Sequence, residues 1–141
     1  MSPALQLRAL AAVVASRVLL SRGTTTDALR RLTRRGTKKS LDPLTALMAV
    51  RRAARIAGGA CLPQAVALTA LLDRAGFAPV LVLGSHLDAK RQWTAHAWVE
   101  ADRFVLEPVI TVEHEPLANL TATNGWTPSP PKADRVNRIV D

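Results

Sequence analysis

The stretch GGACLPQAVALTALLDRAG, residues 58–76, decides how this chain folds. Two glycines lead into it and a third ends it, and its apolar residues recur at the three- and four-residue spacing of a helix face. Pro63 suits the first turn of a helix, where the N–H that it lacks has no helical partner. We therefore expect a central, buried helix that begins at Cys61 and ends before Gly76.

Cys61 is the only cysteine in the chain, so no internal disulfide can form. Its predicted place at the start of a helix puts the sulfur near the positive end of the helix dipole, where a thiolate is favoured. The thiolate is the form of cysteine that acts as a nucleophile. Taken alone, Cys61 is better interpreted as a small buried hydrophobic residue, since free cysteine is among the most buried residue types. The downstream sequence reverses that preference.

The segment AHAWVE, residues 95–100, predicts a strand that holds a histidine on a rigid element. Alternation along a strand puts His96 and Trp98 on the same face. A histidine in this position can accept the thiol proton of Cys61, provided that a third group fixes its tautomer. A structural histidine in the core is the plainer interpretation, and it would prevail if the chain had no Cys61.

Strand arithmetic selects Glu107 as the third group. If Asp102 and Arg103 form a two-residue hairpin turn, Trp98 faces Glu107 across the strand pair. Glu107 then shares a face with His96 and lies diagonal to it, at about 7–8 Å between backbones, within reach of a long side chain. A three-residue loop would instead turn Glu107 to the other face, as a solvated carboxylate at the strand end.

Two further residues are assigned to the candidate site. Gln64 lies one helical turn after Cys61, where its amide can donate a hydrogen bond to an oxyanion, beside the backbone N–H of Cys61. Trp98 shares the face of His96 and is assigned with Gln64 as an oxyanion or substrate contact.

His86 and His114 stand in predicted loops near acidic residues, which raises the question of a metal site. Their spacing relative to Cys61 and His96 matches no zinc pattern, so we interpret both as surface residues. We expect neither a metal ion nor another cofactor.

The sequence predicts one domain of the α+β class, because 141 residues that are 48% hydrophobic can bury a single core. Residues 1–57 form its helical N-terminal part, and residues 58–116 form a catalytic core in which the cysteine-bearing helix packs on a small antiparallel sheet. Residues 117–141 contain an Asn-Gly pair and several prolines, and we expect them to be irregular.

Helix signals before residue 58 give three helices. They are Leu5–Leu20 ended by Gly23, a basic helix capped at Thr25 or Thr26 and ended by Gly36, and Pro43–Ala57 capped by Asp42. Strand signals after Pro79 predict two or three antiparallel strands, at residues 80–84, 94–100 and 104–110.

The net charge of +8 favours an anionic partner, which charge alone leaves open as nucleic acid, a membrane surface or an acidic polypeptide. Arg8 and Arg17 interrupt the apolar N-terminal stretch at positions that a cleaved signal peptide does not have. The stretch between them is also shorter than the roughly 20 apolar residues that span a bilayer. We therefore expect a cytoplasmic protein whose first helix is soluble or lies on a membrane surface.

Several motifs occur in a distinctive order between residues 58 and 110. Cys61-Leu62-Pro63 opens the helix, LLDRAG ends it, and the strands at residues 80–84 and 95–100 follow. Together they resemble the B-type proteins of lasso-peptide maturation, which are papain-like or transglutaminase-like cysteine peptidases.

This resemblance implies a peptidase that removes the leader from a ribosomally made precursor, so that a separate ATP-dependent cyclase can form the macrolactam. Cys61 would attack the carbonyl between leader and core, His96 would transfer the proton, and Glu107 would support His96. Relatives often have aspartate in that third role.

The resemblance also implies partners. The chain is too short to include the winged-helix-like recognition domain of fused relatives, so a separate leader-recognition protein is expected beside the precursor peptide. The cyclase is a further candidate partner. The basic segments Arg30–Arg35 and Arg51–Arg55 would suit docking to that protein or to an acidic leader, or would be solvated helix faces.

Two other functions stay open. The pI of about 11.2 is typical of nucleic-acid-binding modules, yet the chain has no zinc pattern, aromatic RNA platform or helix-turn-helix signal, and we expect no nucleic acid. An acyl transferase or amidase would use the same residues through the same thioester.

Overall fold

A computed structural model describes residues 1–37, 40–87, 89–107, 115–121 and 125–128. Within these ranges four helices precede five strands, so the α+β class is confirmed. The helices are α1 (Pro3–Arg22), α2 (Thr25–Leu32), α3 (Pro43–Ala57) and α4 (Cys61–Arg74). The strands are β1 (Val80–Leu87), β2 (Trp93–Ala101), β3 (Phe104–Leu106), β4 (Glu115–Thr121) and β5 (Gly125–Pro128).

Polar caps fix where the first three helices begin. The side chains of Ser2, Thr24 and Asp42 each accept a hydrogen bond from a backbone N–H of the first turn. The bounds predicted for α3 are confirmed. α2 begins one residue or two before the predicted position, because Thr24 is the cap.

α2 also ends at Leu32 rather than near Gly36, so the predicted end was wrong. At Thr33 the backbone leaves the helical conformation and becomes extended. It then reaches the C-terminal end of α4, where the N–H of Gly36 donates to the carbonyl of Asp73 at 2.9 Å. A Cβ on residue 36 would lie 1.9 Å from the Arg74 carbonyl oxygen, so this approach requires glycine.

The five strands form one antiparallel sheet in the order β3-β2-β1-β4-β5. Ala101 pairs with Phe104, which confirms the two-residue turn at Asp102 and Arg103. Asp102 has a φ of 50°, a left-handed conformation that aspartate tolerates in tight turns.

The prediction of an irregular segment from residue 117 onward was wrong for the described part of that segment. β4 pairs with β1, and β5 pairs with β4, so residues 117–121 and 125–128 extend the sheet. Residues 129–141 lie outside the described ranges, as do residues 108–110 of the third predicted strand.

α4 is the centre of the molecule, and residues 64–73 of this helix are buried. Helices α1 and α3 contact one side of α4, and β2 contacts another. From the sheet, Leu81, Ala97, Val99 and Leu120 join the same hydrophobic core. The helix that carries Cys61 is therefore fixed between two layers.

Candidate active site

The loop before α4 is shaped by two glycines and two side-chain hydrogen bonds. Gly58 and Gly59 have φ values of 74° and 136°, which side chains rarely permit. Arg17 of α1 donates to the carbonyl of Ala57. Gln64 Nε2 donates to the carbonyl of Gly59 at 2.9 Å. The position of Cys61 is thus set from both sides of the loop.

Cys61 is the first residue of α4 and is half-buried against the core. The cap residue, Ala60, has no side-chain acceptor for the N–H groups of the first helical turn. These donors point out of the helix start beside the thiol, where they suit an oxyanion. Gln64 is buried and one of its amide hydrogens is used by Gly59.

His96 and Glu107 meet as the strand arithmetic predicts. Nε2 of His96 lies 3.8 Å from Oε2 of Glu107, with side chains 3% and 40% exposed. This is an ion-pair distance, longer than a hydrogen bond. Arg51 of α3 donates to the backbone carbonyl of Glu107 and so ties the end of β3 to the helical layer.

Trp98 packs on His96 in β2. The two rings are stacked, with centroids 5.8 Å apart and an interplanar angle of 29°. Nε1 of Trp98 donates to Oε1 of Glu100 at 3.2 Å. Glu100 therefore holds the orientation of the indole ring, and the indole ring limits the orientation of the imidazole of His96. Neither Glu100 nor Arg51 was predicted to belong to the site. For Glu100 a signal was present in the sequence, because side chains two residues apart on a strand share a face and Glu100 lies two residues after Trp98.

The two faces of β2 differ in what they contact. Ala97 and Val99 belong to the core shared with α4, so alternation puts His96 and Trp98 on the opposite face. Among the residues that the structure describes, no hydrogen bond joins the Cys61 thiol to His96. The structure therefore brings His96, Trp98 and Glu107 together and holds Cys61 on the neighbouring layer.

The sheet, rather than a direct contact, relates His96 to α4. β1 follows α4 after five residues, and Gly84 of β1 pairs with His96 of β2. β2 in turn contacts α4. The strand that holds His96 therefore packs on the helix that begins at Cys61.

His86 lies in β1, so the loop predicted for it was wrong. Residue 114 lies outside the described ranges, and the side chain of His86 in β1 is not described. Over the described ranges, no group of three or more His, Cys, Asp or Glu residues is arranged to hold a metal ion.

A comparison with protein families agrees with this architecture. The family model of the transglutaminase-like superfamily matches residues 6–124, a span that includes Cys61, His96 and Glu107. No curated protein and no solved structure matches the chain. A cysteine-bearing helix against an antiparallel sheet is consistent with the core of that superfamily, whose members are typically cysteine-based enzymes. The chain belongs to the transglutaminase-like superfamily.

Proposed function

We propose that this protein is a cysteine peptidase that removes the leader from a ribosomally synthesised lasso precursor peptide before macrolactam formation. The observation that carries the proposal is the pair of His96 in β2 and Glu107 just after β3, which lie 3.8 Å apart, with β2 in contact with the cysteine-bearing helix. A buried imidazole next to a carboxylate, in a superfamily of cysteine-based enzymes, is the arrangement that general-base activation of a thiol uses.

In the proposed reaction, the sulfur of Cys61 attacks the carbonyl carbon of the bond between leader and core. His96 takes the thiol proton, and the N–H groups at the start of α4 stabilise the oxyanion. Collapse of the tetrahedral intermediate breaks the C–N bond, and His96 gives its proton to the leaving amine of the core. Water activated by His96 then hydrolyses the thioester, which releases the leader as a carboxylate and restores the thiol.

Glu107 and Trp98 would act on His96 rather than on the substrate. The carboxylate of Glu107 favours the imidazolium that forms after the thiol proton is transferred. The stacked indole of Trp98 limits rotation of the imidazole ring. Both are positioning residues in this mechanism.

The mechanism requires the thiol and the imidazole to come within hydrogen-bond reach, a contact that often tightens only when substrate is bound. Because Cys61 is the sole cysteine, the contact can be tested by alkylation with iodoacetamide followed by mass spectrometry. The rate should follow a pH profile that His96→Ala shifts. Thr94→Ala, on the same strand and face, is the matched control and should leave the profile unchanged.

The enzymatic test is cleavage of the precursor peptide with and without a separately produced leader-recognition protein. We expect loss of the N-terminal leader, faster with the recognition protein and absent with Cys61→Ala. Cleavage by Cys61→Ala at the unaltered rate would exclude the proposed nucleophile. The proposal also places the protein in the cytoplasm, where the precursor is made and where the cyclase would take up the core.

An acyl transferase or amidase is the second candidate, because the superfamily match favours thioester chemistry without specifying its acceptor. Product masses separate the two functions. A product in which an added amine replaces water at the acyl carbon would identify a transferase.

A further inference from the structure

The charges of the molecule are divided between its two halves. Residues 1–57 contain twelve Lys and Arg against two Asp, a net charge of +10, whereas residues 58–141 contain seven Lys and Arg against nine Asp and Glu, a net charge of −2. Nine of the ten arginines in residues 1–57 are exposed, and the tenth, Arg51, is half-buried. The helical half is thus a strongly positive surface on a body that is otherwise close to neutral.

The same half also exposes apolar side chains. Of the nine large hydrophobic residues that are exposed in the described ranges, seven lie in residues 1–57: Met1, Leu7, Val14, Val18, Leu44, Met48 and Ile56. Leu7, Val14 and Val18 are spaced by seven and four residues, so they share one face of α1 over about 16 Å. α3, which packs along α1, exposes Met48 and Ile56 by 60% and 75%.

The apolar surface of α1 is larger than the part that packs against the rest of the protein. By length and composition it is long and apolar enough to cross a membrane, yet only 17% of its apolar window is buried. Its inward residues, Ala9 and Val13, belong to the core, which α4 also shares. A helix held in the fold in this way offers its outer face to a surface rather than spanning a bilayer.

We infer that α1 and α3 bind an anionic membrane surface. Arginines beside aliphatic side chains are the composition of helices that lie in the headgroup region, with cations at lipid phosphates and apolar groups at the acyl boundary. The site of Cys61 and His96 would then work close to the membrane.

The test is flotation of the full chain with vesicles of phosphatidylcholine, with and without phosphatidylglycerol. The protein should float only with the anionic vesicles and be released by salt. Each arginine at an anionic surface strengthens binding about fivefold, so combined Arg22→Gln, Arg52→Gln and Arg55→Gln should weaken it about a hundredfold. Combined Leu7→Gln, Val14→Gln and Val18→Gln should weaken it at least tenfold.

Matched controls lie on the sheet. Trp93→Gln with Val105→Gln removes exposed apolar groups, and Lys90→Gln with Arg103→Gln removes exposed charges; neither pair should change binding more than twofold. Circular dichroism and the alkylation rate of Cys61 show that each variant is folded.

Three results would overturn the inference. They are no flotation with anionic vesicles at low salt, equal flotation of the wild-type chain and both triple variants, and a dimer in solution that the Leu7, Val14 and Val18 changes abolish. The last result would assign this face to a second copy of the chain. Because binding is measured without substrate, these outcomes are independent of the proposed peptidase activity.

Discussion

The two faces of β2 are buried to a similar extent but have opposite chemistry. Ala97 and Val99 face the core with α4, while His96 and Trp98 on the other face are 4% and 5% exposed. Burial of a polar imidazole opposes folding unless polar partners compensate it, whereas burial of Val99 favours folding. One face of the strand therefore stabilises the fold, and the other holds groups for chemistry. Substitutions should separate the two faces.

The largest effect is expected from His96→Ala. If the polar face is catalytic, cleavage of the precursor should fall about 10²–10⁴-fold, because a positioned acid–base residue contributes that much. The variant should still unfold cooperatively in denaturant, because the cost of the cavity is partly offset by removal of a buried polar group. Full activity in this variant, measured as the rate of leader release, would show that the face of β2 that holds His96 is not catalytic.

On the core face, Leu81→Ala should destabilise the protein by about 2–5 kcal/mol, because a fully buried leucine leaves a cavity. Denaturant unfolding measures this loss. Activity per folded molecule should be unchanged. Val82→Ala is the comparison within the same strand, since Val82 is equally buried but faces Trp98. A larger loss of stability from Val82→Ala than from Leu81→Ala would reverse the assignment of the faces.

Glu107→Gln tests the edge of the polar face. Its carboxylate is 40% exposed, so the change should affect stability by well under about 1 kcal/mol. Activity should fall about tenfold because the imidazolium loses its charged partner, with the defect in kcat rather than in KM. Asp in place of Glu107 should recover part of the activity, and equal kcat values for all three proteins would exclude a positioning role.

The smallest effect concerns the far end of α4. Burial raises the pKa of Asp73 above its usual value of 3.8, and the nearby Arg35 and Arg74 oppose the shift. Just above pH 3.8 the carboxyl of Asp73 therefore keeps its proton in the folded state but has lost it in the unfolded state. Stability from this group falls as pH rises through the raised pKa. Asp73→Asn should flatten that decline in unfolding curves measured across the window.

Sequence patterns predicted the polar face because it depends on local geometry. The turn at Asp102 and Arg103 sets the register, and the register alone determines that Glu107 lies beside His96. The stacking of Trp98 follows from the same alternation. What sequence could not give is the distance between Cys61 and His96, because it depends on how α4 and the sheet pack as layers.

β4 and β5 were missed for a different reason. Their sequences contain Asn, Thr, Gly and Pro, which are typical of loops, and their pairing is not local. Leu120 pairs with Leu81, 39 positions earlier, and both residues reach the core. Tertiary burial of Ala118 and Leu120 outweighs the weak strand preference of the segment.

The contact between Gly36 and the end of α4 has a consequence for folding cooperativity. The carbonyl of Asp73 accepts from Gly36 at 2.9 Å and from Gly76 at 3.1 Å, so one of the last acceptors of the helix is satisfied by a residue 37 positions upstream. α4 cannot fray at this end without releasing the link between α2 and α3. The amide protons of its last turn should consequently exchange with solvent together with those of the helical half, as one cooperative unit.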